Sequence, residues 1–330
     1  MTYARAYGML LNALLALSAF STGCGEAAAQ AYPNRPIRFL VTNAPGGGTD
    51  LMARSIGQKF YEAWGQPVIV DNRPGGNGTV GSIAAATSLP DGHTLLIVTS
   101  DTHAIVPNLY RKQPYDAVRD FAPVTLVASG PQVLVSHPSV AANSVKELVA
   151  VIKAKPGGYN YASPGNGSLG HMTGELFQKL TDSKIEHVPY KGSGAAIANL
   201  LSGYVQLMFS GPGSARAHVR AQKLRAYAVT SRDRAPGLDE VPTFAESGFP
   251  KIEALQWYGL LTTAGTPKPV VDKLNRETVR ILQLAEIKER FLASGYAVAS
   301  STPEAFGNII RDDLAKWNRV VKDAKMASID

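Results

Sequence analysis

The sequence predicts an α/β protein, and three observations lead to this prediction. Apolar runs typical of strands alternate with helical patterns along most of the chain, an order that favours mainly parallel sheets. Two segments, FLVTNAPGGGTDLMARSIG and YNYASPGNGSLGHMTGELF, each have the pattern of a strand, a glycine-rich loop and a helix. About 300 residues remain once a predicted leader is removed, enough for one large or two medium domains.

The first 31 residues have the pattern of a cleavable secretion signal. Met9 to Phe20 is an apolar stretch that is too short to span a bilayer but suits the h-region of a signal peptide. The small residues Ala29-Gln30-Ala31 predict cleavage before Tyr32, with cleavage after Ala29 as the alternative. Cys24, the only cysteine, lies in a weak lipoprotein box, so a lipidated N-terminus is a second interpretation. We therefore predict export to the periplasm.

Hydrophobic periodicity defines the elements of the first half. Strands are predicted at Ile37 to Thr42, Val68 to Val70 and Thr94 to Val98. A helix from about Leu51 to Trp64 follows the first glycine loop, because its apolar residues recur at helical spacing. Its predicted buried stripe is Met52, Ile56, Phe60 and Ala63.

Capping signals define helices in the rest of the chain. Ser144-x-x-Glu147 is a capping box for a helix that ends near Lys155. Thr266-Pro267 and Thr302-Pro303 each place a cap residue before a proline at the first helical position. The last helix has a predicted core face of Phe306, Ile310, Trp317 and Val321.

The charge pattern argues against a nucleic-acid partner. The net charge is +7 and the basic residues are dispersed. The densest stretch places Arg216, Arg220 and Lys223 on one face of a predicted helix, followed by Arg225, which is typical of a solvated surface. No aromatic-interleaved basic patch is present. A mildly positive surface favours the approach of small anions.

Two literal G-x-G-x-x-G patterns raise the question of a dinucleotide cofactor. One spans Gly165 to Gly170, with Glu186 where a ribose-binding acid would be expected. The other, Gly76 to Gly81, begins too far beyond its strand for a tight dinucleotide turn. Two matches in one glycine-rich chain show how weak the pattern is, and an exported protein is remote from dinucleotide pools. We predict no cofactor.

Other catalytic motifs are missing from the sequence. It has no G-x-S-x-G, no P-loop and no H-E-x-x-H. His171 and Glu175 would share a helix face, but two ligands do not make a metal site. We therefore predict neither catalytic residues nor a metal site.

The glycine loops have a physical interpretation of their own. A strand that runs into a glycine turn and then a helix directs backbone N–H groups and the positive end of the helix dipole to one point, which suits an anion. Two such loops facing each other across a cleft would hold a dicarboxylate. Two ordinary tight turns are the alternative that turn chemistry alone leaves open.

Seven segments, in order along the chain, resemble one family of proteins. The chain is similar to the Bug family, the extracytoplasmic solute receptors of tripartite tricarboxylate transporters. The resemblance covers the whole predicted mature chain. It is carried by YPNRPIRFLV, APGGGTDLMAR, VDNRPGGNGTVGS, PDGHTLL, YASPGNGSLGH, VPYKGSGAAIANLLSGYVQLMF and WYGLLTTAGTPKPVV.

The resemblance implies a two-domain periplasmic-binding-protein fold of type II, the Venus-flytrap arrangement, with hinge strands between the domains. After a signal peptide at 1–31, residues 32–131 would begin domain 1, residues 132–256 would form domain 2, and residues 257–330 would return to domain 1. Such a protein closes on a small carboxylate, which it holds largely through backbone groups and water.

The resemblance also implies the site residues. The first loop, Ala44 to Asp50, and the second, Ser163 to Ser168, contain no Arg or Lys, so neutral donors would carry recognition. Many relatives have an acid where this chain has Ser210, and His93 replaces a common Tyr, so ligand identity is not inherited. The expected ligand-binding residues are Gly46, Gly47, Gly48, Thr49, Asp50, Thr102, His103, Ser163, Asn166, Gly167, Ser168, Tyr190 and Ser210.

Asp50 has two interpretations. In the first turn of a helix it complements the helix dipole, and we favour this structural role. Pointing into the cleft, it would repel a bare carboxylate and favour a ligand that also has an amino group.

The expected function is capture of a small organic acid in the periplasm and its delivery to the membrane subunits of a tripartite tricarboxylate-type transporter, by a monomeric receptor that is not an enzyme. The alternatives are a periplasmic oxidoreductase or hydrolase, and a receptor that reports its ligand to a signalling system.

Overall fold

The first of two sheets contains strands from both ends of the chain. The computed structural model describes residues 32–112, 115–326 and 328, so the predicted signal peptide and Cys24 lie outside the described residues. The sheet has the order β11-β4-β10-β3-β1-β2. Its strands are β1 (Ile37–Val41), β2 (Val68–Asn72), β3 (Thr94–Thr99), β4 (Phe121–Pro131), β10 (Leu255–Thr263) and β11 (Ala297–Val298).

The second sheet is built only from the middle of the chain and has the order β7-β6-β8-β5-β9. We call the first sheet with its helices the first lobe, and the second sheet with its helices the second lobe. The strands of the second sheet are β5 (Val133–Ser136), β6 (Asn160–Ser163), β7 (Glu186–Pro189), β8 (Leu207–Ser210) and β9 (Arg225–Val229).

Helices follow most of the strands, as the alternating pattern predicted. In the first lobe they are α1 (Gly48–Trp64), α2 (Thr79–Ala86), α7 (Lys268–Leu282), α8 (Ala285–Ala293) and α9 (Pro303–Asp323). In the second lobe they are α3 (Val145–Ala154), α4 (Leu169–Thr181), α5 (Ser193–Leu201) and α6 (Pro212–Arg220).

Both sheets are mixed, so the prediction of mainly parallel sheets is wrong. Strand β1 pairs in parallel with β2 and β3, and β6 pairs in parallel with β7 and β8. The strands at the crossings between lobes, β4, β5 and β10, all pair antiparallel. These strands carry the chain from one sheet to the other rather than closing a strand–helix–strand unit, so the sequence pattern did not predict their direction.

The two crossings are hydrogen-bonded to each other. Thr230 and Gln132 exchange backbone and side-chain hydrogen bonds, with Gln132 N donating to Thr230 Oγ1 at 2.8 Å and Thr230 N donating to Gln132 O at 2.9 Å. Ala254 N donates to Thr230 O at 3.2 Å. The chain thus passes between the lobes at two adjacent points, which is the arrangement of a hinge.

The capping signals are largely correct. Ser144 Oγ accepts from Glu147 N at the start of α3, and Thr302 Oγ1 accepts from Ala305 N at the start of α9. The Thr266 prediction is wrong: α7 begins at Lys268 after Pro267, and Thr266 Oγ1 instead donates to Thr263 O at 2.8 Å.

The predicted basic face is also wrong in part. Helix α6 ends at Arg220, so Lys223 does not continue that face. Arg225 lies on β9 and donates to Val140 O and Ala142 O at 2.8 and 2.6 Å. Of the four basic side chains in this stretch, Arg225 therefore has a structural role, because its hydrogen bonds stabilise the second lobe.

Apolar packing extends from the second lobe into the first. Met172 and Leu176 of α4 are buried in the same cluster as Trp317 and Ile310 of α9. Helix α4 therefore packs against the first lobe through its apolar face, and its N-terminus lies where the lobes meet.

Candidate functional site

A cavity of about 230 Å³ lies between the two lobes. Its volume is below the range of drug-sized ligand pockets, so it suits a small metabolite. The lining residues are Asn43, Gly47, Gly48, Thr49, Thr99, Asp101, Gln132, Pro164, Ser168, Leu169, Gly170, Ser193, Gly211, Ser214, Gln256, Tyr258 and Tyr296.

Four helices begin at this cavity. Strands β1, β6, β7 and β8 each lead into a helix whose first residues lie at the cavity wall. The first N–H groups of a helix have no partner within the helix, and the helix dipole makes that end positive. Together the four N-termini form a positive, donor-rich site, and no Lys, Arg or His among the described residues lines it. The wall residues are Gly47 before α1, Ser168 before α4, Ser193 at the start of α5 and Gly211 before α6.

The first glycine loop is held in place by Asp50. Its carboxylate accepts from Gly46 N, Arg54 Nε and Asn72 Nδ2, each at 3.0 Å. The Arg54 hydrogen bond is the main reason that the pKa of Asp50 lies below its usual value. Asp50 and Gly46 do not line the cavity. These hydrogen bonds support a structural role for Asp50, through the loop it holds as well as through the helix dipole.

Thr49 and Asn43 of the first lobe line the cavity and are hydrogen-bonded to each other. Thr49 Oγ1 donates to Asn43 Oδ1 at 3.2 Å, and Thr42 Oγ1 donates to the same oxygen at 3.0 Å. These bonds occupy the side-chain oxygen of Asn43, and Asn43 lines the cavity, so its amide NH₂ group is left as a donor for a ligand. Sequence reasoning included Thr49 but missed Asn43, which precedes the predicted loop by one residue.

The second glycine loop turns only one of its predicted side chains to the cavity. Ser168 Oγ donates to Gly165 O at 2.7 Å and accepts from His171 N at 3.3 Å, which caps α4. Ser163 is fully buried and its hydroxyl contacts His187 Nε2 at 2.6 Å. Asn166 and Gly167 line a different cavity, on the side facing His171 and the C-terminal segment.

The four remaining predicted residues lie outside the cavity lining. His103 is fully buried, with its ring centroid 4.9 Å from that of Phe121, and burial lowers its pKa to about 3, so it is neutral. Thr102 Oγ1 donates to Thr99 O within the same turn. Ser210 is buried and donates to Gly211 O. Tyr190 is half-buried, and its hydroxyl oxygen has no hydrogen-bond partner among the described residues.

Sequence reasoning missed Asp101, which is the only acid in the cavity lining of the described chain. It lies two residues beyond the end of β3 and opens a π-helical turn, Asp101–Ile105. Its Oδ1 accepts from Leu169 N at 3.1 Å, a hydrogen bond from the first lobe to the N-terminus of α4. Burial raises its pKa to about 7, against the opposing effects of the Leu169 and Gln256 hydrogen bonds. Its position one residue before Thr102 was the only available signal.

Two tyrosines from the last third of the chain close one side of the cavity. The rings of Tyr258 and Tyr296 meet edge to face with centroids 4.8 Å apart. Burial raises the pKa of both hydroxyls, so both are neutral hydrogen-bonding groups. They pack over Gly48, where an added Cβ would lie 3.3 Å from Tyr258 Oη. A side chain at position 48 would therefore press on the tyrosine pair.

Within residues 32–112, 115–326 and 328, no helix is both long and apolar enough to cross a membrane. The same part of the chain contains no group of three or more His, Cys, Asp or Glu side chains placed to hold a metal ion.

Comparison with known proteins gives matches over nearly the whole length. Residues 52–326 match the model of the tripartite tricarboxylate transporter family receptor. Protein BugT of Bordetella pertussis is 38% identical over 296 residues, covering 89% of this chain and 91% of that protein. A protein from the tcbD-tcbE intergenic region of Pseudomonas sp. strain P51 is 36% identical, covering 90% of this chain and 88% of that protein.

Solved structures agree with this assignment. The Rhodopseudomonas palustris protein Rpa4515 with adipate superposes with a TM-score of 0.79 at 31% identity, covering 90% of this chain and all of that one. MatC of the same organism, with bound malate, gives a TM-score of 0.75 at 30% identity, covering 88% of this chain and all of that one. The predicted two-domain periplasmic-binding-protein fold is thus confirmed. The chain belongs to the tripartite tricarboxylate transporter receptor family, the Bug family of solute-binding proteins.

Proposed function

We propose that this protein is a periplasmic receptor that captures a small organic acid and delivers it to the membrane subunits of a tripartite tricarboxylate-type transporter. The observation that carries the proposal is the convergence of four helix N-termini on one cavity between the lobes. Such ends bind carboxylates through N–H groups and the helix dipole. Relatives with about 30% identity hold adipate and malate.

No cationic side chain is available to bind the carboxylate, because no Lys, Arg or His among the described residues lines the cavity. Backbone N–H groups of the first loop and of α4 would bind the carboxylate, aided by the Asn43 amide and the Ser168 hydroxyl. The other predicted residues, among them Asn166, Ser163 and Tyr190, would act through loop shape rather than by touching the ligand.

The same features argue against catalysis as the main role. Two histidines of the second lobe, the buried His171 and the half-buried His187, stack on each other, and burial lowers the pKa of both. Neither lines the cavity. A receptor without catalytic residues or cofactor, acting as a monomer whose 132–256 domain closes on the other, therefore fits best.

Export through a cleaved signal peptide is part of this proposal. We expect intact-mass analysis of the periplasmic fraction to give a chain that starts at Tyr32, because the Ala-Gln-Ala site directly precedes it. A start at Gln30 would still support cleavage. A membrane-bound product lipidated at Cys24 would contradict the soluble form of the receptor.

The binding function is tested by calorimetry and small-angle scattering on the mature chain. We expect at least one of malate, succinate, adipate and their amino-bearing analogues to bind, and its saturation to reduce the radius of gyration. The physical reason is that the closed form contacts the ligand from both lobes, which shifts the population toward closure. Binding of NAD(H) in preference to every carboxylate would contradict the proposal.

A further inference from the structure

The cavity has a charge balance that a simple dicarboxylate does not satisfy. Its donors are the N-termini of four helices, yet it also contains the carboxyl group of Asp101. No Lys, Arg or His of the described chain lines the cavity beside it. A buried carboxylate without a cation is costly, so this site is incomplete until a ligand supplies a partner.

The hydrogen bonds of Asp101 use only part of its capacity. Oδ1 accepts from Leu169 N at 3.1 Å, and the Gln256 side chain donates a second bond. A carboxylate accepts about four hydrogen bonds. Because Asp101 lines the cavity and is partly exposed, its remaining lone pairs are available to a ligand there.

In the part of the chain that the structure describes, the groups that line the cavity beside Asp101 are uncharged. Tyr258 and Gln256 come from β10, Tyr296 comes from the segment after α8, and the Leu169 N–H comes from α4. Tyr258, Tyr296 and Asp101 line the same cavity, and the charge of Asp101 adds to the effect of burial in raising the pKa of both tyrosines. Tyr hydroxyls beside a carboxylate form a pocket of oxygen acceptors, the surroundings that an ammonium group requires.

We propose that the ligand is an amino-carboxylate, a small zwitterionic acid, and that Asp101 binds its ammonium group while the helix N-termini bind its carboxylate. This inference rests on the proposed function and deepens it. The cavity of about 230 Å³ admits a molecule of this size. The second interpretation of Asp50 was that it would repel a bare carboxylate and favour a ligand with an amino group. We assign this role to Asp101 instead.

The test compares matched ligand pairs that differ only in the amino group. Calorimetry at pH 8 would measure succinate against aspartate and glutarate against glutamate, on the wild-type mature chain and on Asp101→Asn. We expect the wild type to bind the better amino acid about tenfold to a hundredfold more tightly than its amino-free partner, the size of one charge-assisted interaction. Asn has nearly the same shape as Asp and keeps an oxygen that accepts from Leu169 N.

Asp101→Asn is expected to invert this preference. The amino acid should lose at least tenfold in affinity, and the amino-free acid should bind more tightly because the repulsion is gone. In the wild type, amino-acid affinity should rise from pH 6 to pH 8 as Asp101 ionises, and in Asp101→Asn it should be flat. Thermal denaturation checks that the variant is folded.

Two results would overturn the inference while leaving the proposed receptor function intact. One is tighter binding of the amino-free acid by the wild type. The other is an equal loss for both members of a pair in Asp101→Asn, which would make Asp101 only a bond between the lobes. If no member of either pair binds the wild type and the adipate and malate arms fail as well, the proposed function itself is at fault.

Discussion

Ser168→Asp is expected to lower the affinity for the captured acid by about tenfold to a hundredfold, or by more where repulsion adds to the loss. Ser168 caps α4 and lines the cavity. Aspartate is as good a helix cap as serine, so α4 should remain folded. The new carboxylate, however, would accept hydrogen bonds from the N–H groups that the ligand uses, and it would repel an incoming anion. Loss of one charge-assisted hydrogen bond corresponds to about 1.5–3 kcal/mol.

The experiment is calorimetry with the best ligand of the wild type, and two variants separate charge from shape. Ser168→Asn changes the same side chain without a charge and should lose less affinity than Ser168→Asp. Gly47→Asp makes the corresponding change before α1, where an added Cβ would meet only Ala44 O at 3.7 Å. It should also reduce binding.

The matched control is Ser144→Asp. Ser144 caps α3 by accepting from Glu147 N, as Ser168 does from His171 N, but it lies away from the cavity. It should bind as the wild type does. Wild-type affinity in both Ser168→Asp and Gly47→Asp would show that the acid binds elsewhere.

Gly259→Ala is expected to destabilise the protein by about 3 kcal/mol. Gly259 lies in β10, which is hydrogen-bonded to β3 on one side and β4 on the other. A Cβ there would lie 1.8 Å from Phe306 Cζ, within the buried ring that α9 packs on the sheet. A strand fixed on both sides cannot move away, so the ring and its helix must shift.

Urea denaturation followed by circular dichroism measures this loss as a lower unfolding midpoint. Gly194→Ala is the control, because Gly194 lies exposed in α5 with nothing near its added Cβ, and helix propensity favours alanine there by about 0.5–1 kcal/mol. Phe306→Leu in the Gly259→Ala background should recover part of the loss. An unfolding midpoint for Gly259→Ala equal to that of the wild type would contradict the packing described for β10 and α9.

Local sequence patterns were sufficient for most of the elements. Periodicity predicts strand β1 and helix α1. The caps at Ser144 and Thr302 are equally local, because each is a hydrogen bond between residues three apart in the sequence. The two helices that begin after glycine loops were likewise predicted from the local pattern. Resemblance to the family supplied the two-lobed arrangement.

The direction of individual side chains at the site was not readable from the sequence. Asp101, Thr102 and His103 are consecutive, yet the first faces the cavity, the second bonds within its own turn and the third packs against Phe121. The π-helical turn rotates each residue away from the last, so Thr102 and His103 are buried while Asp101 stays partly exposed. For that reason Thr102 and His103 were selected from the sequence and Asp101 was not.

The amino-acid pattern is enough to show where strands lead into helices, and therefore that N–H groups collect at the carboxyl ends of strands. Long-range packing is what brings four of those ends to one cavity, together with Tyr258, Tyr296 and Asp101. Helix caps are made by neighbours along the chain, whereas the cavity also depends on contacts between distant residues, such as Asp101 and Leu169, which are 68 residues apart. Their meeting depends on the packing of α4 against α9 and on the two crossings between the lobes, and no local pattern encodes either.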